Sequence, residues 1–326
     1  MTTHAPVIGI SGMNAESKSV QAMISRVQET NAIPILFANH AKRKAADDIH
    51  KCDAVIVMGN NYDIDPELYI HRYPKGHPYR IIHPSTNSTT QSAAAKARAH
   101  YEQELIVLAI KQKMPLFAIC GGMQTINIMC GGTLHQHIPE LIGHDTYNKN
   151  AGLDGSNTVV SIAIVPDTML ARVIQEKSLQ AMGGGALLSS EGAANAFHHQ
   201  SVHWIGEGLI ASAHSDAYTD VHDGSEERLI EAIEPDPNGA YADQFLIGVQ
   251  WHPEFLEDDT ATDKILRDLQ QEAIAYAQTH GHEHSPEQIK MENVLSALPI
   301  LKGISDYTKT PTTGFNSRGK PKGFGR

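Results

Sequence analysis

The chain has 326 residues, 41% of them hydrophobic, and a formal net charge of −11. That length buries the core of one large α/β domain or two small ones, and the acidic balance argues against a nucleic-acid binder, which carries a basic face. No stretch approaches the ~20 apolar residues of a membrane helix, residues 1–6 open no secretory signal, and three cysteines (Cys52, Cys120, Cys130) suit a reducing compartment, so the expected location is the cytoplasm.

In chain order, residues 7–10 read as a buried strand, 17–30 as a helix and 33–37 as a second strand. Residues 41–50, charged and alanine-rich, read as a helix. The buried run 53–58 follows and stops at Gly59. Residues 71–92 are polar, proline-containing and aperiodic. A long amphipathic helix is expected over 93–113, then a short buried strand at 116–119. Apolar strands alternating with helices mean a parallel sheet covered on both faces. The second half changes character: 157–165 alternates as an edge or antiparallel strand does, 209–214, 229–234 and 245–250 are further strands, and 260–279 is a final helix. The expected organisation is one domain over 1–280 and a C-terminal extension over 281–326. Its last stretch, 299–326, holds six basic residues against the single acid Asp306 and is expected to be flexible.

The strongest chemical signal is Cys120 between a buried strand and Gly121-Gly122. Two glycines permit a sharp turn. Such a turn lifts the thiol above the sheet edge as a nucleophile elbow does. The helix that follows points its positive end at the sulfur and favours the thiolate, and the Gly121 N–H is placed to donate to an oxyanion. A second strand ends in His252-Pro253-Glu254, where the proline fixes the backbone between imidazole and carboxylate. A carboxylate that accepts one ring N–H leaves the other nitrogen to take the thiol proton. Gly59-Asn60 after the strand 53–58 offers a further backbone donor, since neighbouring strand ends of an open parallel sheet converge on one crevice. The chain also carries 19 histidines, with groups at His135/His137 and His198/His199/His203. Their spacing is loose and no cysteine pair or His-Glu-x-x-His helix accompanies them. They read as surface and active-site-rim residues, with no metal or organic cofactor.

Together these motifs resemble class I glutamine amidotransferase-like proteins, in the γ-glutamyl-γ-aminobutyrate hydrolase family. The resemblance rests on Ile119-Cys120-Gly121-Gly122-Met123-Gln124, on residues 248–254, on Asp63-Ile64-Asp65-Pro66-Glu67-Leu68-Tyr69, on Gly131-Gly132-Thr133-Leu134 and on Asn195-Ala196-Phe197-His198-His199-Gln200, in that family's order over roughly residues 6–275. It implies an α/β fold of flavodoxin type: an open, mostly parallel sheet with helices on both faces and a smaller antiparallel strand region. It also implies a Cys120–His252–Glu254 triad, an oxyanion hole from the backbone of Gly59, Asn60 and Gly121, and a glutamyl pocket shaped by Gln124, His199 and Gln200. Two departures stand out. The family commonly has Cys-Arg-Gly at the elbow, and residues 71–92 and 299–326 match nothing in it. The expected activity is hydrolysis of a small γ-glutamyl amide such as γ-glutamyl-γ-aminobutyrate, by a free-standing enzyme or homo-oligomer. The alternatives are a glutaminase that passes ammonia to a separate synthetase and a non-catalytic module that binds γ-glutamyl ligands. Segment 71–92 is expected at the substrate mouth, with Arg72 or Arg80 as a carboxylate donor.

Overall fold

The computed structural model describes residues 5–86, 92–147, 160–175, 191–219, 224–256 and 260–280. The first half runs β1 (Val7–Ser11), α1 (Lys18–Glu29), β2 (Ile33–Phe37), α2 (Ala45–Asp48), β3 (Ala54–Val57), α3 (Ala93–Lys111), β4 (Leu116–Ile119) and α4 (Gly121–Met129). The second half adds β5 (Leu134–His135), α5 (Pro139–Ile142), β6 (Val160–Ile164), α6 (Met169–Gln175), β7 (Glu191–Ala194), β8 (Ser201–Val202), β9 (Leu209–Thr219), β10 (Glu226–Pro235), β11 (Leu246–Val249) and α7 (Thr260–His280). All the described strands join one sheet in the order β2-β1-β3-β4-β11-β10-β9-β6-β7, with β8 on β10 and β5 on β8. From β2 to β11 the pairing is parallel, and from β11 onward it is antiparallel. The α/β class and the open mixed sheet are as expected from the sequence, and the antiparallel strands extend the parallel ones. Pro34 is tolerated in β2 because that strand lies at the edge of the sheet.

Strand alternation feeds two cores. Val55, Val57, Leu116 and Ala118 face one cluster with Leu105, Leu108 and Ile126 of α3 and α4. Ala54, Ile56, Phe117 and Ile119 face the other, with Met23 and Val27 of α1 and Leu266 and Leu269 of α7. Each such apolar side chain stabilises the fold by about 1.5–3 kcal/mol when fully buried. No described helix is long and apolar enough to cross a membrane.

Several expectations need correction. Residues 41–50 do not make one helix: only α2 is α-helical, between 3-10 turns at His40–Lys42 and Ile49–Lys51. The helix over 93–113 is not amphipathic along its length, because Leu105 to Ile110 are buried all round, between the sheet, α2 and α4. Of the strand expected over 157–165, β6 is observed, and 157–159 lie outside the described residues, as does the extension 281–326.

The largest correction concerns segment 71–92, of which 87–91 lie outside the described residues. Its first part packs into the core and does not stand off the fold as a loop, while His83 stacks on His137, whose Nδ1 lies 3.1 Å from that of His199. Short 3-10 turns at Pro66–Leu68, Ile70–Arg72 and Pro78–Arg80 carry the chain over α4, and Tyr69 and Tyr73 are fully buried against the core. Arg72 Nη1 donates to the carbonyls of Ile128 (3.0 Å) and Gly132 (2.5 Å), and Arg80 Nη1 to Tyr73 O (2.6 Å). Both arginines therefore tie down backbone through Nη1. Burial brings the Arg72 guanidinium down to about 10. Nor are the histidines all surface residues. His135 and His198 are buried, and the His135 ring stacks on His203 with centroids 4.0 Å apart.

On β10, Glu231 is buried and accepts from Ser215 Oγ at 2.7 Å. Burial raises its carboxyl from 4.5 to about 7. A folded-state value above the unfolded one gives stability that is complete below pH ~4.5 and lost as pH rises through ~7, by about 3 kcal/mol at most. Glu231→Gln keeps the acceptor and removes the charge. It is expected to raise the melting temperature at pH 8 and leave it unchanged at pH 4.5; an equal shift at both values contradicts this account.

Candidate active site

Three neighbouring strand ends meet. β3 leads to Met58-Gly59-Asn60, β4 to Cys120 and β11 to Gln250-Trp251-His252. Cys120 has φ 50° and ψ −110°, and its N–H donates to Val249 O at 2.7 Å. A non-glycine residue there costs about 1–3 kcal/mol, a strain associated with functional turns. The two glycines explain why the turn closes. A Cβ on Gly122 would lie 2.5 Å from the Val57 carbonyl oxygen, and one on Gly121 would lie 2.2 Å from Asn60 Nδ2. Only glycine lets α4 begin this close to the end of β3, and the side chain of Asn60 fills the space that an arginine at 121 would need.

His252 Nδ1 donates to Glu254 Oε1 at 2.8 Å, and the Glu254 side chain is fully buried. Burial works against a charge on the imidazole, but the Glu254 carboxylate and the Cys120 sulfur beside the ring outweigh it and raise His252 well above its ordinary value. Gly59 approaches from the third strand, where a Cβ would meet His252 Cε1 at 2.5 Å and Cys120 Cβ at 3.3 Å. The backbone N–H groups of Gly59, Asn60 and Gly121 have no partner among the described residues. The six residues singled out as triad and oxyanion donors are thus brought together, in an arrangement able to form a thiolate and hold an anion beside it.

Gln124, His199 and Gln200 fall around this centre in other ways. Gln124 Nε2 donates to Gln200 O and to Gln250 Oε1, each at 3.1 Å. Gln200 is buried, and its Oε1 accepts from the Ile64 N–H at 3.2 Å. His199 Nε2 pairs with Asp63 Oδ1 at 2.8 Å, and its Nδ1 lies 3.1 Å from His137 Nδ1. His198 donates from Nδ1 to Gln200 O at 2.9 Å, and burial lowers its ring to about 3, so it is neutral.

Two residues of the site were missed from the sequence. Asn195 grips both backbone groups of His252: its Nδ2 donates to His252 O (2.9 Å) and its Oδ1 accepts from His252 N–H (2.8 Å). The signal was present in the Asn-Ala-Phe-His-His-Gln stretch. Gln250, two residues before the histidine, donates from Nε2 to Cys120 Sγ at 3.5 Å. Its place at a buried strand end gave no sign that the side chain turns to the thiol.

All three cysteines are free and buried. Burial raises the Cys52 thiol far above its usual range and pushes Cys130 up to about 12. Only Cys120 lies beside the His252 imidazole, which its surroundings push toward the charged form. Brief iodoacetamide treatment of the native protein is expected to alkylate Cys120 alone, as read by peptide mass mapping. Faster labelling of Cys52 or Cys130 overturns the assignment.

A family model described as peptidase C26 matches residues 6–254. Protein NtpR of Enterococcus hirae is 28% identical over 275 residues, covering 81% of this chain and 97% of that protein. A Mycobacterium tuberculosis protein provisionally named a glutamine amidotransferase is 32% identical over 222 residues, which span 68% of this chain and 56% of the relative. The γ-glutamyl-γ-aminobutyrate hydrolase of Escherichia coli O157:H7 is 24% identical over 219 residues, 66% of this chain and 69% of that enzyme.

Proposed function

The chain belongs to the peptidase C26 family, and on that premise we propose that it is a cysteine-dependent hydrolase of the γ-glutamyl amide bond in a small γ-glutamyl compound. The observation that carries the proposal is the strained Cys120 set beside an imidazole whose Nδ1 is held by the buried Glu254 carboxylate. In this reading the Cys120 thiolate attacks the γ-carbonyl carbon, and the oxygen takes up the negative charge between the N–H groups of Gly59, Asn60 and Gly121. As the C–N bond breaks, the proton on His252 Nε2 passes to the leaving amine, leaving a γ-glutamyl thioester on Cys120. His252 then takes a proton from water, the hydroxide attacks the thioester, and glutamate leaves as the thiol is restored. Asn195 keeps the His252 backbone in register, and Gln250 supports the thiolate. The reaction needs a small substrate and no nucleic acid, membrane, metal or organic cofactor. The free cysteines fit a cytoplasmic setting.

A second reading keeps the same chemistry with glutamine as substrate and ammonia passed to a partner synthetase. The higher identity to the relative named for amidotransferase activity favours it. The test is a screen of γ-glutamyl amines, γ-glutamyl peptides and glutamine with the purified protein, using Cys120→Ala as control. Glutamate release from γ-glutamyl amines or peptides is expected, and none from the variant. Turnover of glutamine alone supports the second reading, and release that survives in Cys120→Ala rejects both.

A further inference from the structure

Arg98 lies in the first half of α3, 4% exposed, with Glu102 one turn on at 1%. Its Nε donates to Glu102 Oε1 at 2.8 Å. Its Nη2 donates to two successive carbonyls, Met58 O and Gly59 O, each at 2.9 Å. Ser11 Oγ donates to the same Glu102 oxygen at 2.8 Å, which fixes the carboxylate from β1. Burying an ion pair carries a desolvation penalty that apolar side chains of like volume avoid, so stability alone gives no reason for this pair.

Its geometry gives one. In a trans peptide the C=O and N–H point opposite ways. A guanidinium that draws the carbonyls of Met58 and Gly59 to one side turns the N–H groups of Gly59 and Asn60 to the other. Successive N–H groups facing one way make a concavity for an anion. His252 and Cys120 lie close to this peptide, as the atoms a Cβ on Gly59 would strike, and neither amide has a partner among the described residues.

We propose that Arg98, held by Glu102, is the positioning residue of the oxyanion hole: by pinning two successive carbonyls from behind, it aims the Gly59 and Asn60 amides at the oxygen that becomes charged during attack by Cys120. This rests on the amide-hydrolase reading above. Arginine suits the task because one planar fork serves Glu102 and both carbonyls at once, whereas a lysine ammonium keeps the charge without the fork.

The test compares wild type with Arg98→Lys and with the double variant Arg98→Met/Glu102→Leu, which removes both charges so that neither is left buried alone. Steady-state kinetics are measured with the best substrate of the screen, alongside the rate of Cys120 alkylation by iodoacetamide. Alkylation displaces iodide from a saturated carbon and builds no oxyanion, so it reports the thiolate and not the hole. The double variant is expected to lose about 100-fold in kcat, the scale of one oxyanion donor, with KM changed less than about 3-fold and alkylation at the wild-type rate. Arg98→Lys, which keeps Glu102 paired, is expected to lose at least about 10-fold, and it decides the matter if the double variant does not fold. An active wild type whose folded variants keep kcat within about 3-fold overturns this inference alone. Alkylation that slows in step with kcat also overturns it, by making Arg98 a general support of the site. A wild type that releases no glutamate from any substrate defeats the functional reading and this inference with it.

Discussion

His252→Ala is expected to lower kcat/KM on the order of 10³-fold or more, and Glu254→Gln by less. In the proposed reaction the imidazole has two tasks, holding the Cys120 thiolate and protonating the leaving amine, and its removal ends both. Glutamine at 254 can still accept from His252 Nδ1, so the ring keeps its direction, but the negative charge that holds it cationic is gone. The His252 value should then fall toward the ordinary range, and iodoacetamide should label Cys120 more slowly at a given pH, because the positive imidazolium beside the sulfur is lost sooner as pH rises. Steady-state glutamate release and the pH dependence of iodoacetamide labelling check these outcomes. A near-native rate in His252→Ala would move the base to His198 or His199. Their surroundings speak against that. His198 commits Nδ1 to Gln200 O and is neutral through burial, and His199 is bonded to Asp63 and His137.

Tyr73→Ala is expected to cost about 3–5 kcal/mol, the range for removing a buried aromatic ring. Tyr73 is 1% exposed. Its hydroxyl donates to Leu134 O at 3.1 Å and meets His203 Nδ1 at 2.8 Å. Its ring lies 4.6 Å from that of His77 and 4.8 Å from that of Trp204. Truncation opens a cavity and leaves the Leu134 carbonyl and His203 without this partner. The melting temperature should fall on the order of 10 °C, while the folded fraction keeps its KM, because the ring packs on His77, His203 and Trp204 and not on Cys120, His252 or Glu254. A shift under about 2 °C by calorimetry, or a raised KM at an unchanged melting temperature, would restore a substrate-mouth role to the segment.

The difference between what could and could not be read beforehand has a physical basis. β2 and β4 fall at the residues expected, because continuous β-branched and apolar runs flanked by turn residues have few other buried homes. Cys120 and His252-Pro-Glu were legible because a strained elbow forces glycine and because the histidine and its carboxylate share three consecutive residues. Segment 71–86 was misread because its composition is polar, yet its prolines set 3-10 turns and its arginines satisfy carbonyls that would otherwise be buried unpaired. A count of charges cannot show that a guanidinium points inward at backbone. The two-residue strands β5 and β8 left no periodicity to detect, since their pairing is decided by the chain they meet. Nothing in the sequence sets the buried Arg98–Glu102 pair apart from a solvated i,i+4 contact on a helix, because its partners, Met58 and Gly59, are some 40 positions away.

One consequence of the strand order concerns how the molecule can be controlled. β3, β4 and β11 lie side by side in the middle of the sheet, with Val57 opposite Ala118 and Ile119 opposite Val249, and a ladder bond joins Cys120 itself to Val249. Cores press on both faces of this ladder. Such strands belong to the part of a protein that opens only when the whole domain unfolds, unlike loops and termini, which open at little cost. The three strands that lead to thiol, imidazole and amide donors are therefore expected to exchange their backbone hydrogens only as slowly as the whole domain unfolds. Under that expectation, regulation falls to the segments beyond the strand ends and to the traffic of small molecules past them, and not to the sheet itself.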